Sequence, residues 1–480
     1  MGDKNNIGEK NLNMKKIFVS AYACEPGLGS EIGVGWHWVL EMSRYFELWV
    51  LTRESNRRTI EPWIAEHPEY ANIHWVYYDL PQWARRWKRG MRGVRIYYML
   101  WQRLTDKIVK RTMQENGIDT YHLLTYGNAM WRASRYGMKQ RFVWGPVSAG
   151  VSLPREFTKS FSWKSRLKEE AQRVMRWLLP LNVGFRRRCR NADLILCKTD
   201  DTIRCVPKKW REKCVQMTDV AVEPHDATQY LLPKRYDDTK INYVAAGTLV
   251  GWRTFDVLIE AWAQCTMHNA QCTMHNFFAK GSKSVGFMRE EESVEILRAT
   301  SCEARERINK SEWEEKSELS VKSVGDKRLR SEKLTIMGDG PERERLERLV
   351  DELGVRDSVR FVGQVDMETY YSYIAQADVV VNPCFREGAV TVSFDSMAMG
   401  KPLICFDTGG YTHYFKSEYS RVISGVKSRA EAVERLSEAM AELADKELVA
   451  RMGAEAKRNS ALYDWEHKGI DIKELICFIK

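Results

Sequence analysis

The sequence predicts an α/β protein made of two halves, each organised around a parallel sheet. Three observations predict it. Short apolar runs such as Val379-Val380-Val381 and Leu403-Ile404-Cys405-Phe406 read as strands buried on both faces. Glycine-bearing turns and then segments of helical spacing follow these runs, so strand and helix alternate and right-handed parallel crossovers are expected. The chain has 480 residues, enough for two separate cores.

In the first half, the polar residues 1–13 are expected to be a disordered leader. Lys15 to Tyr22 is a strand, Ala23 to Gly35 a glycine-rich turn, Trp36 to Tyr45 a helix and Leu48 to Thr52 a second strand. This is a βαβ unit of Rossmann type. Gly27 and Gly29 permit close backbone approach, and Ser30-Glu31 suits a helix start. The spacing is not the dinucleotide fingerprint G-x-G-x-x-G. Further strands are Ile73–Tyr78, Thr120–Tyr126 with His122 inside it, Phe142–Val147, and Asn191–Cys197, the last of this half. The first domain is set at 14–222 and a polar linker at 223–240.

The second domain is set at 241–462. Ile241 to Ala246 is its first strand, the loop Gly247 to Arg253 follows, and a helix runs from Phe255 to Trp262. Leu334 to Pro341 is a strand with a glycine turn, and Glu342 to Leu353 is an amphipathic helix. Val359–Gly363 is a strand and Met367–Ala375 a helix. The stretch from Val379 to Gly410 then reads strand, loop, helix (Ala389 to Met399), strand, loop. A loop that opens a helix after a parallel strand aims backbone N–H groups and a positive dipole end at one point, which suits a phosphate. The final residues, 463–480, are expected to form a helix that crosses back to the first domain.

An atypical insertion interrupts this domain at about 263–331. It is charged and holds a tandem copy of AQCTMHN, at 263–269 and 270–276. The copy creates two C-x2-H pairs, at Cys265/His268 and Cys272/His275. A duplication produces such pairs without selection for a metal, and the spacing is tighter than in structural zinc sites, so no metal is expected. The eleven cysteines are scattered, as in a reduced compartment, and the expected location is cytoplasmic.

The net charge is +10, unevenly spread. Gln82 to Arg111 holds ten Lys/Arg against one acid, interleaved with Trp83, Trp87, Tyr97, Tyr98 and Trp101. Lys159 to Arg190 repeats the pattern with Trp163, Trp177 and Arg186-Arg187-Arg188. Three readings stay open: contact with an anionic membrane surface, nucleic-acid binding, or a solvated helical face with its aromatics in the core. No apolar run approaches the ~18 residues of a spanning helix.

Glu387-Gly388 with Asp395 eight residues after Glu387 resembles the E-x7-E element of retaining GT-B glycosyltransferases of family 4. Met-Ala-Met-Gly-Lys-Pro-Leu-Ile resembles that family's helix exit, and Glu-Pro-Gly-x-Gly-Ser-Glu in the first loop is typical of one of its branches. The resemblance implies a GT-B fold: two Rossmann-like domains whose parallel sheets face an interdomain cleft. It implies transfer of a hexose from a nucleotide-diphosphate sugar with retention, in polysaccharide or glycolipid biosynthesis. The acceptor would be a saccharide or a lipid-linked saccharide, with no cofactor and no nucleic-acid partner, at the inner face of a plasma membrane.

Residue by residue, the resemblance implies that Glu387 binds the sugar hydroxyls and Asp395 the ribose. Gly388, Ala389 and Val390 would offer backbone amides at the helix start, and Arg253 would hold the diphosphate with its guanidinium fork. His122, Gly29 and Ser30 would face the donor sugar from the first domain, and Val362 would border the base. Two positions depart from the family: Thr248 stands where a second cation is usual, and Asp395 is one methylene shorter than glutamate. These departures, with the duplication, leave a second expectation: a decayed, non-catalytic relative.

Overall fold

The computed structural model describes residues 14–27, 30–85, 93–149, 153–159, 163–236, 240–266, 333–386 and 390–479. The leader, the bulk of the insertion, and Gly29, Glu387, Gly388 and Ala389 lie outside the described residues.

Two wholly parallel sheets organise the chain. The first has seven strands: β1 (Lys16–Ala21), β2 (Glu47–Thr52), β3 (Ile73–Tyr77), β4 (Thr120–Thr125), β5 (Arg141–Val147), β6 (Leu194–Cys197) and β7 (Cys214–Gln216). Their order is β3-β2-β1-β4-β5-β6-β7. The second has β8 (Asn242–Ala246), β9 (Lys333–Met337), β10 (Val359–Gly363), β11 (Val379–Asn382), β12 (Leu403–Phe406) and β13 (Ser420–Ile423). Their order is β10-β9-β8-β11-β12-β13. In both sheets the order reverses beside the first strand, and ligands of such sheets bind outside the carboxyl ends at that reversal. The strand interiors are buried throughout β1, β4, β11 and β12, bar Lys16, which explains why these strands read as continuous apolar runs.

The first helix, Ser30–Ser43, begins inside the stretch that reads as a glycine-rich turn. Gly35 explains the difference. A Cβ there would come 2.0 Å from the Ala23 carbonyl oxygen, so this glycine lets the helix lie against the end of β1. The first sheet also gains β7, a three-residue strand too short to leave a periodic signal. The 255–266 helix runs four residues further than expected. The phosphate-suited helix is Thr391–Ala398, with Val390 extended before it.

Several contacts seam the domains. Leu153 and Phe157, from the loop after β5, are buried in the second domain's core, where Phe157 meets Phe385 at 4.4 Å and Phe385 stacks on Phe406 at 4.0 Å. Asp200 N–H donates to the Gly409 carbonyl at 2.7 Å, and Thr218 N–H to the Tyr414 hydroxyl at 2.9 Å. The last helix, Trp465–Cys477, lies on the Ser30–Ser43 helix, with Gly469 against Glu41. Its Lys468 ammonium donates to the Thr218 carbonyl at 2.8 Å, and burial pushes that amine down to about 7.

Candidate active site at the interdomain cleft

The second domain's reversal point lies between β8 and β11. The loop after β8 turns through Gly247, a short 3-10 segment Gly251–Arg253, and Thr254. Thr254 has φ 51°, a left-handed conformation that a β-branched residue rarely adopts. Its hydroxyl donates to the Pro383 carbonyl just past β11 at 2.5 Å. That bond joins the two loops that flank the reversal, and it holds the strained residue in place.

Arg253 folds back over this loop. A Cβ on Gly247, which has φ +153°, would come 1.9 Å from the Arg253 Nη1, so the guanidinium occupies the space a side chain would need. Two guanidiniums lie near the Trp252 ring, that of Arg253 5.3 Å and that of Arg386 5.9 Å from its centre. The glycine turn after β9 closes the other side. Leu249 N–H donates to the Asp339 carbonyl at 3.0 Å, and Glu342 N–H to the Leu249 carbonyl at 3.1 Å. A Cβ on Gly338 would meet the Gly247 carbonyl oxygen at 2.0 Å and one on Gly340 the Leu249 carbonyl oxygen at 2.4 Å, so these two glycines let the loops touch. Thr248 stands exposed on this loop and brings no charge.

Asp395 is 3 % exposed in the Thr391–Ala398 helix, and its Oδ2 accepts from the Tyr370 hydroxyl at 2.7 Å. Burial pushes its carboxyl up to about 7, against the pull of that hydrogen bond. A contact with a ribose would therefore share the carboxylate with Tyr370. Val390 and Val362 are half-buried and pack against the same core. Ser393 and Asn382 sit beneath the helix start on the Tyr411 hydroxyl, at 3.2 and 2.6 Å.

On the first domain, His122 is fully buried in β4. Its Nε2 bonds the Gly145 carbonyl at 2.7 Å, its ring meets Trp38 edge-on at 6.0 Å, and its Nδ1 is buried with no hydrogen-bond partner. Burial pushes it down to about 4, so it is neutral. The structure places it beneath the surface, three residues before the strand ends. The groups at the strand's open end are others. The backbone of Ser30 starts the helix beside them. Glu31 accepts from the Gly127 N–H at 2.8 Å, and burial pushes its carboxyl up while Lys198 opposes the rise. Lys198 pairs with Asp219. Glu31, Tyr98, Tyr126, Trp131 and Lys198 line a cavity of about 320 Å³. The sequence offered a signal for Glu31 as a helix cap only, and none for Lys198.

One ion pair spans the cleft. Arg386 Nη1 meets Glu169 Oε1 at 2.7 Å, with the side chains 21 % and 8 % exposed. Its Nη2 donates to Gln172 Oε1. Glu169 and Gln172 lie on the first domain's Trp163–Leu178 helix, whereas Arg386 follows β11 and precedes residue 387. The arrangement thus brings Arg253 and Arg386 together at Trp252, and the Thr254–Pro383 bond ties their loop to the chain just past β11, upstream of the Thr391–Ala398 helix. It sets His122 and Asp395 behind the walls of the cleft. Among the described residues no cluster of three His, Cys, Asp or Glu groups could hold a metal.

Residues 313–459 match the family described as Glycosyl transferases group 1. A lipopolysaccharide core biosynthesis glycosyltransferase of Rhizobium meliloti is 44 % identical over 71 residues, 15 % of this chain and 20 % of that protein. A GDP-mannose-dependent phosphatidylinositol monomannoside mannosyltransferase of Mycobacterium tuberculosis is 30 % identical over 142 residues, 28 % of this chain and 36 % of that one. The chain therefore spans only a fifth to about a third of these curated relatives. Among solved structures, a sucrose-phosphate synthase of Thermosynechococcus elongatus superposes with a TM-score of 0.57 at 16 % identity, covering 96 % of this chain and 98 % of that one. WaaG, a glycosyltransferase involved in lipopolysaccharide biosynthesis, superposes with a TM-score of 0.53 at 14 % identity, covering 96 % and 100 %. The chain has the GT-B fold, two Rossmann-like domains with parallel sheets, and its residues 313–459 are similar to the family described as Glycosyl transferases group 1.

Proposed function

We propose that this protein transfers a hexose from a nucleotide-diphosphate sugar to a saccharide or lipid-linked acceptor, with retention of anomeric configuration. The observation that supports the reading is the tied reversal point: the Thr254–Pro383 bond joins the loop that carries Arg253 to the chain just past β11, upstream of the Thr391–Ala398 helix. As the anomeric bond breaks, negative charge grows on the departing diphosphate. Arg253 and the helix-start amides, including that of Val390, are fixed donors that stabilise this charge without reorganising. Glu387 and Gly388-Ala389 would meet the sugar, and Val362 the base. Gly29 and Ser30 would face the donor sugar from the first domain. Closing the crevice excludes water and so suppresses hydrolysis. No resident cofactor is invoked, and the reaction takes place on the inner face of an anionic membrane.

Titration calorimetry with UDP and with GDP, followed by a donor screen, tests this. The expected result is binding of at least one nucleotide diphosphate and turnover of its sugar. Glu387→Ala is expected to abolish turnover while leaving the fold intact. A folded wild-type protein that binds neither nucleotide and consumes no donor would instead be a non-catalytic relative. Unchanged turnover in Glu387→Ala would remove the site assignment.

A further inference from the structure

The Trp163–Leu178 helix is built inside out. Its inward face carries Glu169, Gln172 and Arg173, which bond Arg386 and the Leu153 carbonyl. Its outward face carries Trp163, Leu167, Val174 and Trp177, which are 71, 64, 54 and 77 % exposed. At ~100° per residue these four side chains fall within an arc of about 80°. Leu178, Leu181 and Val183 continue the apolar surface past the helix end, at 41, 66 and 81 % exposed. Glu170 falls within the same arc, paired with Arg173 and Arg155, and parts the face into a Trp163/Leu167 end and a Val174/Trp177 end. Exposed apolar side chains grouped in this way on a globular protein mark an interaction site.

The chemistry of the rim selects the partner. Arg166 is exposed at the edge of this arc, and Arg187 and Arg190 are exposed on the Val183–Asn191 helix that follows. A second copy of a chain with net charge +10 would bring like-charged rims together. An anionic lipid surface is complementary to the rim and accepts the tryptophans at headgroup depth. Sixteen residues span about 24 Å, short of the ~30 Å hydrocarbon core. Among the described residues no helix is long and apolar enough to cross a membrane.

We infer that the Trp163–Leu178 helix lies in the plane of an anionic membrane, its outward apolar face seated among the headgroups. This gives the membrane contact proposed above an element and an orientation, and in that respect it rests on that reading. The opposite face of the same helix holds Arg386, so the seat and the crevice share one rigid element.

Co-sedimentation of the full chain with vesicles tests the inference independently of transferase activity. One vesicle set is phosphatidylcholine alone, and the other contains about a third phosphatidylglycerol; each is used at low and high salt. The protein is expected to pellet with the anionic vesicles at low salt, with a blue shift of tryptophan emission. W163E/W177E is expected to lower the pelleted fraction at least about tenfold with an unchanged thermal midpoint. Wild-type protein that stays in the supernatant with anionic vesicles overturns the inference. Equal pelleting of both proteins overturns it too, as does a wild-type dimer that the double variant abolishes. If that variant does not fold, quenching of wild-type tryptophans by brominated lipid decides, and absence of quenching overturns it. A protein that pellets yet consumes no donor retains this inference and loses the transferase reading.

Discussion

Arg253 is the residue on which the proposed chemistry depends most. Its guanidinium is packed against Gly247 and Trp252, so it is held in place before any ligand arrives. Removing one preorganised donor from a charge-developing site lowers turnover by about a hundred- to a thousandfold. Arg253→Ala is expected to fall in that range in kcat/KM, with Arg253→Lys intermediate because it keeps the charge and loses the fork. Steady-state kinetics on the donor found by the screen checks it.

Two buried titrating residues give the fold opposing pH dependences. Asp395 is held up to about 7 against an ordinary 3.8, so its stabilisation is complete below about pH 4 and is lost as pH rises through about 7. His122 is held down to about 4 against an ordinary 6.5, so its stabilisation is complete above about pH 6.5 and is lost as pH falls through about 4. At ~1.4 kcal/mol per unit these amount to about 4 kcal/mol each, to within a kcal/mol or so, and in the wild type they partly cancel. Asp395→Asn removes one of them. Its urea midpoint is expected to drop relative to wild type between pH 7 and pH 5; an identical pH slope in the two proteins would count against the assignment.

At the scale of the element, the strands were legible because strands buried on both faces must be apolar throughout. What misled the reading was glycine: the turn expected over Ala23–Gly35 is half helix, because Gly35 serves close packing rather than a bend. Other features left no local trace. Glu169 and Arg386 are 217 positions apart, and nothing near either one names the other. The same distance hid the burial of Asp395 under Tyr370 and of His122 behind Trp38. The aromatics of the basic segments divide: Tyr97, Tyr98 and Trp101 are core, whereas Trp83, Trp163 and Trp177 are exposed. The E-x7-E resemblance points to the segment between β11 and the Thr391–Ala398 helix, and its glutamate falls outside the described residues.

The Glu169–Arg386 pair belongs to this scale, since it joins a helix of one domain to a loop of the other. Removing one member of a buried pair leaves the other uncompensated and costs about 3–5 kcal/mol when burial is complete. With Arg386 21 % exposed, a smaller loss is expected for Glu169→Ala, about 1–3 kcal/mol in thermal unfolding. Glu169→Gln, which keeps a hydrogen-bond acceptor, is expected to recover part of it. If Glu169 also positions the loop, KM for the donor rises in Glu169→Ala while kcat changes less.

For the whole molecule, the insertion is the clearest test of modularity. The 255–266 helix and β9 are both complete elements, and the duplicated AQCTMHN repeat begins within the helix. Lengthening or shortening a surface connection changes closure entropy by only about 0.6 kcal/mol per doubling. Replacing residues 277–312 by a short Gly/Ser linker is therefore expected to leave the thermal midpoint within a few degrees. A collapse of the midpoint would show that the second domain's core extends into that stretch.

The aromatic contact of Phe157 with Phe385 and Phe406 has a consequence for how the chain can be divided. Leu153 and Phe157 are encoded with one lobe and plug the other. A fragment starting at residue 240 would emerge from the ribosome with an open socket where those two side chains belong. Such a fragment is expected to aggregate when expressed alone and to become soluble when a peptide spanning 148–180 is supplied in trans. Fragment complementation, rather than separate expression, is therefore the route by which the two lobes of this protein can be studied apart.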